Sequence, residues 1–164
     1  MNISDTQQTN EGEIAMGMNV ALQDEQAMRG HVHLEVRKNG KLIDVDDDHN
    51  VVVNGGRAML AGVLGGRDMG NFITHVGVGT SATAAAETDT DLVGKVLIAI
   101  SGATYDGAKV RFNFTIGSGQ ANGLTIRELG LFFSNGTMFS RRVRKSAIGK
   151  ENDIEIAGYW DIYL

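Results

Sequence analysis

The stretch from Leu124 to Arg142, LTIRELGLFFSNGTMFSRR, constrains the fold of this chain more than any other part of it. Two largely apolar runs flank Asn135-Gly136, a dipeptide that tolerates positive φ at both positions and so favours a type I′ turn between antiparallel strands. The same pattern recurs at Lys38-Asn39-Gly40-Lys41 and at Tyr105-Asp106-Gly107-Ala108. Three hairpin signals in 164 residues predict a mainly β, antiparallel protein.

Strict alternation of apolar and polar side chains supports this prediction just before the hairpin at Asn39-Gly40. Val32, Leu34 and Val36 form an apolar face, as a half-buried strand requires. The opposite, polar face consists of His31, His33, Glu35 and Arg37. Further strands are predicted at 41–45, 72–78, 95–100, 109–116, 124–133, 137–143 and 154–163. One helix is predicted at 57–64, which ends at a glycine pair and has an apolar face of Met59, Leu60, Val63 and Leu64.

These elements predict the fold class and the domain organisation together. About eight strands and one short helix favour an antiparallel β-sandwich or flattened barrel with the helix, at about 57–64, on one side. Residues 29–164 are expected to form a single β-rich domain. Residues 1–28 are expected to be a flexible N-terminal arm, partly extended or with a short helix at 19–28, because the first 17 residues are polar and aperiodic.

Composition excludes several classes of function. The chain has no cysteine, which rules out disulfides, thiolate chemistry and cysteine-based zinc sites. Residues 1–56 carry ten acidic and four basic side chains, and the remaining residues are nearly balanced, so no strong basic field favours nucleic acid as a partner. Residues 1–12 lack the basic and apolar regions of a secretory signal, and no apolar run is long enough to cross a bilayer, so we expect neither.

Three segments resemble proteins of bacteriophage particles. The segment ITHVGVGTSATAAAETDTDLVGKV is similar to a strand, GxGT-like turn, small-residue loop and "DT-x-L" element of phage tail and tail-fibre-associated proteins. LTIRELGLFFSNGTMFSRR resembles their "RELGLF" hairpin, and DHNVVVNGGRAMLAGVLGG resembles their "HN-x-V-x-N-x-G-R" strand-to-helix entry. The likeness covers residues 48–66, 73–97 and 124–142 in unbroken order.

The resemblance implies a structural protein of a tailed-phage virion, in the tail, baseplate, fibre or neck. Such modules often precede a long fibre shaft, and this sequence stops at Leu164, so we expect a short adaptor or a capsid decoration protein at least as much as a receptor-binding fibre. The implied partners are copies of the same chain and other virion proteins, with assembly in the host cytoplasm.

Two motifs imitate ligand sites. Gly77 to Ala82, GVGTSA, resembles a G-x-G-x-x-A phosphate cradle, but the next strand follows too soon for a crossover helix, so a plain turn is expected. The run from Asp44 to Asp48 fails the EF-hand pattern, because Val51 and Arg57 stand where glycine and glutamate belong. A looser cation site of Asp44, Asp46 and Asp48 stays open beside a solvated acidic turn.

The pair His31 and His33 is the only other metal candidate. Three such pairs could converge on a six-nitrogen site in a trimer, as in the HxH motifs of some phage fibres, which this fragment resembles in those three residues alone. The alternative is that both histidines simply face solvent. We expect no metal and no other cofactor.

Charge complementarity suggests where subunits meet. The acidic residues Asp44, Asp46, Asp47 and Asp48 of one chain are predicted to approach the basic residues Arg141, Arg142, Arg144 and Lys145 of another. The basic cluster could also touch phosphates, but a solvated edge or a salt-bridged subunit contact is preferred. We expect no enzyme, because no serine lies in a nucleophile elbow and cysteine is absent.

A carbohydrate- or receptor-binding module is the alternative function. Trp160, Tyr159 and Tyr163 near the end of the sequence could stack on sugars of a host-surface glycan. The exposure of these rings separates the two functions, because a β-sandwich core would bury Trp160.

Overall fold

A computed structural model describes residues 28–164, which form nine strands and one helix. The predicted arm and the predicted helix at 19–28 lie almost entirely outside the described residues. In chain order the elements are β1 (Arg29–Lys38), β2 (Lys41–Val52), α1 (Asn54–Leu64), β3 (Ile73–Gly79), β4 (Val96–Ala99), β5 (Gly102–Asp106), β6 (Lys109–Ile116), β7 (Thr125–Phe133), β8 (Met138–Gly149) and β9 (Ile154–Tyr163).

All nine strands join one antiparallel sheet in the order β4-β3-β7-β8-β2-β1-β9-β6-β5. The two edge strands, β4 and β5, follow each other in sequence with only Ile100 and Ser101 between them. Ile100 N–H donates to the Thr74 carbonyl beside one edge, and Ser101 N–H donates to the Asn113 carbonyl beside the other, at 3.0 and 2.7 Å. The sheet therefore curls until its edges meet at one corner. This half-barrel confirms the predicted fold class.

The core lies inside the curl and follows the period-two pattern. Val32, Leu34 and Val36 are buried, and the polar residues between them are half-buried, as predicted. The neighbouring strands β9 and β6 contribute aromatic and branched side chains on the same face, including Phe114, which is buried, and Trp160, which has no exposed surface. A small second cluster of Val53, Leu92, Phe132 and Met138 packs apart from this core.

The hairpin turns differ in detail from the prediction. Asn39 and Gly40 both have positive φ, 50° and 79°, which fits a type I′ turn. At the β7–β8 hairpin only Gly136 does, with φ 86°, so the predicted type I′ turn there is wrong. Gly136 N–H donates to the Phe133 carbonyl, and Phe133 N–H donates to the Thr137 carbonyl, which is the three-residue loop with glycine in the left-handed position.

Helix α1 packs on the sheet through glycine as much as through its apolar side chains. A Cβ on Gly56 would lie 2.3 Å from the carbonyl oxygen of Phe139, so the helix backbone approaches β8 closely. Met59 and Leu60 pack against the core as predicted. Leu64 is 80% exposed, which corrects its assignment to the buried face, because it lies at the end of the helix beyond the sheet contact.

Two predicted segments change character. Strand β2 runs on to Val52, so the acidic residues Asp44–Asp48 lie in a strand and do not form a turn. Strand β8 runs to Gly149 and carries the basic cluster within it. The segment between β3 and β4 contains neither helix nor strand, as predicted for 80–91.

Candidate functional site

Strands β2 and β8 are linked by backbone pairing only at Val51↔Arg141 and Val52↔Ser140. Beyond this point side chains connect them. Asp46 receives Arg142 Nη2 on one oxygen at 2.7 Å and Arg144 Nη1 on the other at 2.6 Å, and Asp44 receives Arg144 Nη2 at 2.9 Å. A carboxylate between two guanidinium groups therefore continues the junction where the ladder of backbone hydrogen bonds stops.

This ion cluster faces the core side of the sheet. Asp44, Asp46 and Asp48 pair directly with Val36, Leu34 and Val32 of β1, and directly paired residues lie on the same face of an antiparallel sheet. The side chains of Arg142 and Arg144 are 2% and 1% exposed, so the expectation of a solvated edge is wrong. The buried guanidinium groups require the acidic partners that β2 presents to them.

The acidic and basic residues predicted to meet between subunits thus meet within one chain. The complementary signs that motivated it are satisfied between β2 and β8 of the same molecule, so they no longer argue for contact between copies. The guanidinium groups also occupy the carboxylates of the looser cation site. Of the eight candidate interface residues, Lys145 is exposed and Asp47 lies on the opposite face of β2.

A second buried ion pair holds the segment 80–95 against the sheet. Glu128 on β7 has no exposed surface, and its Oε1 accepts the backbone N–H groups of Ser81 and Val93 at 3.0 and 2.8 Å. Its Oε2 accepts Arg141 Nε at 2.8 Å, and Arg141 Nη1 donates to Asp89 Oδ2 at 2.7 Å. Strand β7, strand β8 and both ends of the loop meet in this network, which we call the loop anchor: Glu128, Arg141 and Asp89.

The ionisation of Asp89 reflects its place in the loop anchor. Burial of Asp89 favours its neutral form, but the N–H of Ala86 and the guanidinium of Arg141 outweigh burial and lower the pKa of the Asp89 carboxyl. Burial likewise opposes the charge on Arg141, and Glu128 and Asp89 together raise the pKa of its guanidinium. The shifts in the pKa of Asp89 and in the pKa of Arg141 therefore both favour the charged forms of this pair.

The glycine motif at 77–82, which imitates a phosphate cradle, lies against Glu128 of the loop anchor. A Cβ on Gly79 would lie 2.6 Å from Glu128 Oε1 and 2.7 Å from the Val93 carbonyl oxygen. The N–H of Ser81, within the motif, is already given to the Glu128 carboxylate. The anion at this turn is the chain's own glutamate, which agrees with the predicted plain turn. Neither Glu128 nor Asp89 was a predicted site residue, because each looks like an ordinary charge in the sequence.

The outer face of β1, β2, β6 and β9 carries a polar and aromatic network. His33 Nδ1 lies 3.1 Å from Asp47 Oδ2, and His31 Nε2 contacts the other oxygen of the same carboxylate. His33 stacks on Tyr159 with ring centroids 4.9 Å apart, and the Arg111 guanidinium lies 3.6 Å from the Tyr159 centroid. The hydrogen bond with His33 lowers the pKa of Asp47, with burial opposing. The histidines share one carboxylate across two strands.

Within residues 28–164, no group of three or more histidine, cysteine, aspartate or glutamate side chains is arranged to hold a metal ion. No helix in the same range is both long and apolar enough to cross a membrane.

The aromatic residues proposed for sugar stacking are already engaged. Trp160 is fully buried, and its Nε1 donates to Asn50 Oδ1 at 3.2 Å, so it cannot form an exposed platform. Tyr159 lies between His33 and Arg111, and the Arg29 guanidinium lies 5.4 Å from the Tyr163 ring centroid. Trp160, the main residue proposed for glycan binding, is therefore not accessible to a sugar.

No protein-family model, curated protein or solved structure matches this chain.

Proposed function

We propose that this protein is a noncatalytic structural component of a tailed-phage virion, in its tail, baseplate, fibre or neck, and acts by assembling with copies of itself and with other virion proteins. The observation that carries the proposal is that all three phage-like segments meet around the loop 80–95, two of them in the loop anchor. Residues 73–97 supply Asp89 and the amides of Ser81 and Val93, and residues 124–142 supply Glu128 and Arg141.

The first segment, 48–66, joins the same unit from the other side of the loop. Asn54 N–H donates to the Glu87 carbonyl at 2.8 Å, and Arg57 Nη1 donates to the Glu87 carboxylate at 3.0 Å. Charged residues that are far apart in the sequence thus hold one loop and one helix against the sheet. Such a use of charged residues favours a module that presents a fixed surface to other proteins.

Exposed apolar side chains near the β1–β2 turn support assembly as the mode of action. Leu42, Ile43 and Val45, in β2 close to its turn with β1, are 42%, 54% and 50% exposed. Neighbouring apolar side chains in solvent are typical of a surface that another protein covers.

The test is to look for the chain in purified tailed-phage particles. We expect its peptides in gradient-purified particles by mass spectrometry, and gold-labelled antibody at the tail, baseplate, fibre or neck in electron micrographs. Label spread over the head would support capsid decoration in place of the tail assignment. Absence of the chain from particles, with turnover of a substrate by the purified protein, would refute the proposal.

Mass photometry of the purified chain tests self-assembly separately. We expect oligomers whose proportion rises with concentration, and charge introduced by Ile43→Asp to reduce them. The matched control is Lys41→Gln, also in β2 near the same turn, which makes the net charge more negative by one unit, as Ile43→Asp does, without removal of an apolar side chain. A monomer at every concentration would contradict self-assembly.

A further inference from the structure

One end of the half-barrel is open and apolar. Strands β3, β6 and β8 begin there, β7 and β9 end there, and α1 lies beside it. A cavity of about 110 Å³ at this end is lined entirely by apolar side chains, among them Leu60, Phe133 and Ile162. Leu164 also lines the cavity and is 66% exposed. We call this cavity the apolar mouth.

A second, polar groove adjoins the apolar mouth. It has a volume of about 300 Å³, and Leu164 lines both spaces. Arg29 and Lys109 bring two cations to the groove, and the Asp106 carboxylate, 3.4 Å from Lys109 Nζ, pairs with one of them. The apolar pocket and the polar groove therefore adjoin at Leu164, at the same end of the molecule.

The described chain begins at the same place. Met28 packs against the core, and Arg29 is the first residue of β1, opposite Tyr163 at the end of β9. The described part of the chain therefore begins beside the polar groove. Residues 1–27 contain five acidic and no basic side chains.

The sequence before Met28 matches the two spaces in order. Residues 14–22, IAMGMNVAL, are uncharged and place large apolar side chains at every second position, with small or polar residues between them. Asp24 and Glu25 follow, between this apolar run and Met28. The acidic pair would lie at the groove that holds Arg29 and Lys109, and the apolar run would lie at the mouth.

We infer that residues 14–22 dock in the apolar mouth of their own chain, with Asp24 and Glu25 beside Arg29 and Lys109. The six residues from Leu22 to Met28 span up to about 20 Å when extended, enough to reach across the end of a small barrel. Attachment to the same chain also gives the segment an effective concentration on the order of millimolar. The inference does not depend on the proposed function.

Paired cysteines test the docking, because the chain has no cysteine of its own. Leu164→Cys at the mouth is combined in turn with Met16→Cys, Met18→Cys and Val20→Cys in the full-length chain. The matched control pairs the same three substitutions with Tyr105→Cys, which is 80% exposed and lines neither space. Leu164 N–H bonds to the Ala108 carbonyl in the turn after β5, so Tyr105 is within similar reach of a tethered segment.

Under mild oxidation we expect an intrachain disulfide in at least one Leu164→Cys pair, formed about ten-fold faster than in any Tyr105→Cys pair. Equal rates at both positions, or no disulfide at Leu164→Cys, would overturn the inference. Disulfides formed only between chains would also overturn it and would identify the occupant as the segment of a second copy. As an independent measurement, removal of residues 2–22 should raise the fluorescence of a dye that binds apolar surface, and unchanged fluorescence would count against docking.

Discussion

Replacing Glu128 by glutamine tests the loop anchor directly. The amide keeps the shape of the side chain and one carbonyl oxygen for the N–H groups of Ser81 and Val93, which the carboxylate accepts at 3.0 and 2.8 Å. It removes the negative charge beside Arg141, whose side chain is 4% exposed and lies 2.8 Å away. The substitution therefore keeps the packing and removes both the charge and the acceptor that Arg141 Nε uses.

The magnitude follows from the burial of the pair. Removing one partner of a buried ion pair costs about 3–5 kcal/mol, because the remaining charge is uncompensated. Arg141 keeps Asp89 at 2.7 Å, so we expect the lower end of that range, about 3 kcal/mol. For a domain of this size, that loss corresponds to a fall in Tm of roughly 6–12 °C.

The assay is denaturant unfolding followed by the fluorescence of Trp160, the single tryptophan, which the fold buries completely. Arg57→Gln is the matched control, because the Arg57–Glu87 pair ties the same loop but its side chains are 44% and 58% exposed. An exposed pair contributes about 0–1 kcal/mol, so the control should change little. Hydrogen exchange of the Ser81 and Val93 amides should accelerate in Glu128→Gln alone. Equal losses of stability in the two variants would refute the argument from burial.

Three further predictions concern the helix, acid and the core. Gly56→Ala should destabilise the protein by about 1–3 kcal/mol, because its Cβ would meet the β8 backbone, whereas Gly55→Ala, with its nearest atom at 3.8 Å, should stabilise it by about 0.5–1 kcal/mol in the same unfolding assay. The pKa of Asp89 is lowered in the folded state, so its contribution to stability is present above the ordinary value of 3.8 and is lost as the pH falls through the folded pKa. Asp89→Asn should therefore flatten the dependence of the unfolding free energy on pH, measured from about pH 6 to about pH 2. Acrylamide should quench Trp160 slowly in the folded protein and rapidly after unfolding, and rapid quenching in the folded protein would contradict its burial.

Local patterns in the sequence predict the strands well because each pattern has a local cause. The alternation around Val32, Leu34 and Val36 places one face inside, and the paired strand β9 buries its own alternate residues against it. Turn type is less predictable. Asn135-Gly136 permits a type I′ turn, but the bulge between Leu131 and Phe132 shifts the register and leaves three residues in the loop.

The charged residues could not be assigned from the sequence because their partners are distant in it. Asp46 and Arg142 are 96 residues apart, and Glu128 and Val93 are 35 apart. Opposite charge suggested an attraction, but only the sheet order, with β2 beside β8, shows that the attraction acts within one chain. Local composition contains no information on which strands are neighbours.

Two clusters of buried charge in this fold lie where backbone hydrogen bonding ends. The ladder between β2 and β8 stops after two residue pairs, and Arg142 and Arg144 continue the connection to Asp46. The segment 80–95 forms no ladder along its length, and Glu128 accepts two of its amides. Since an isolated buried charge is costly, the arginines stabilise the arrangement that keeps each of them beside its acidic partners. The ion pairs whose charges suggested a subunit contact in the sequence thus fix the positions of the strands and the loop within one chain.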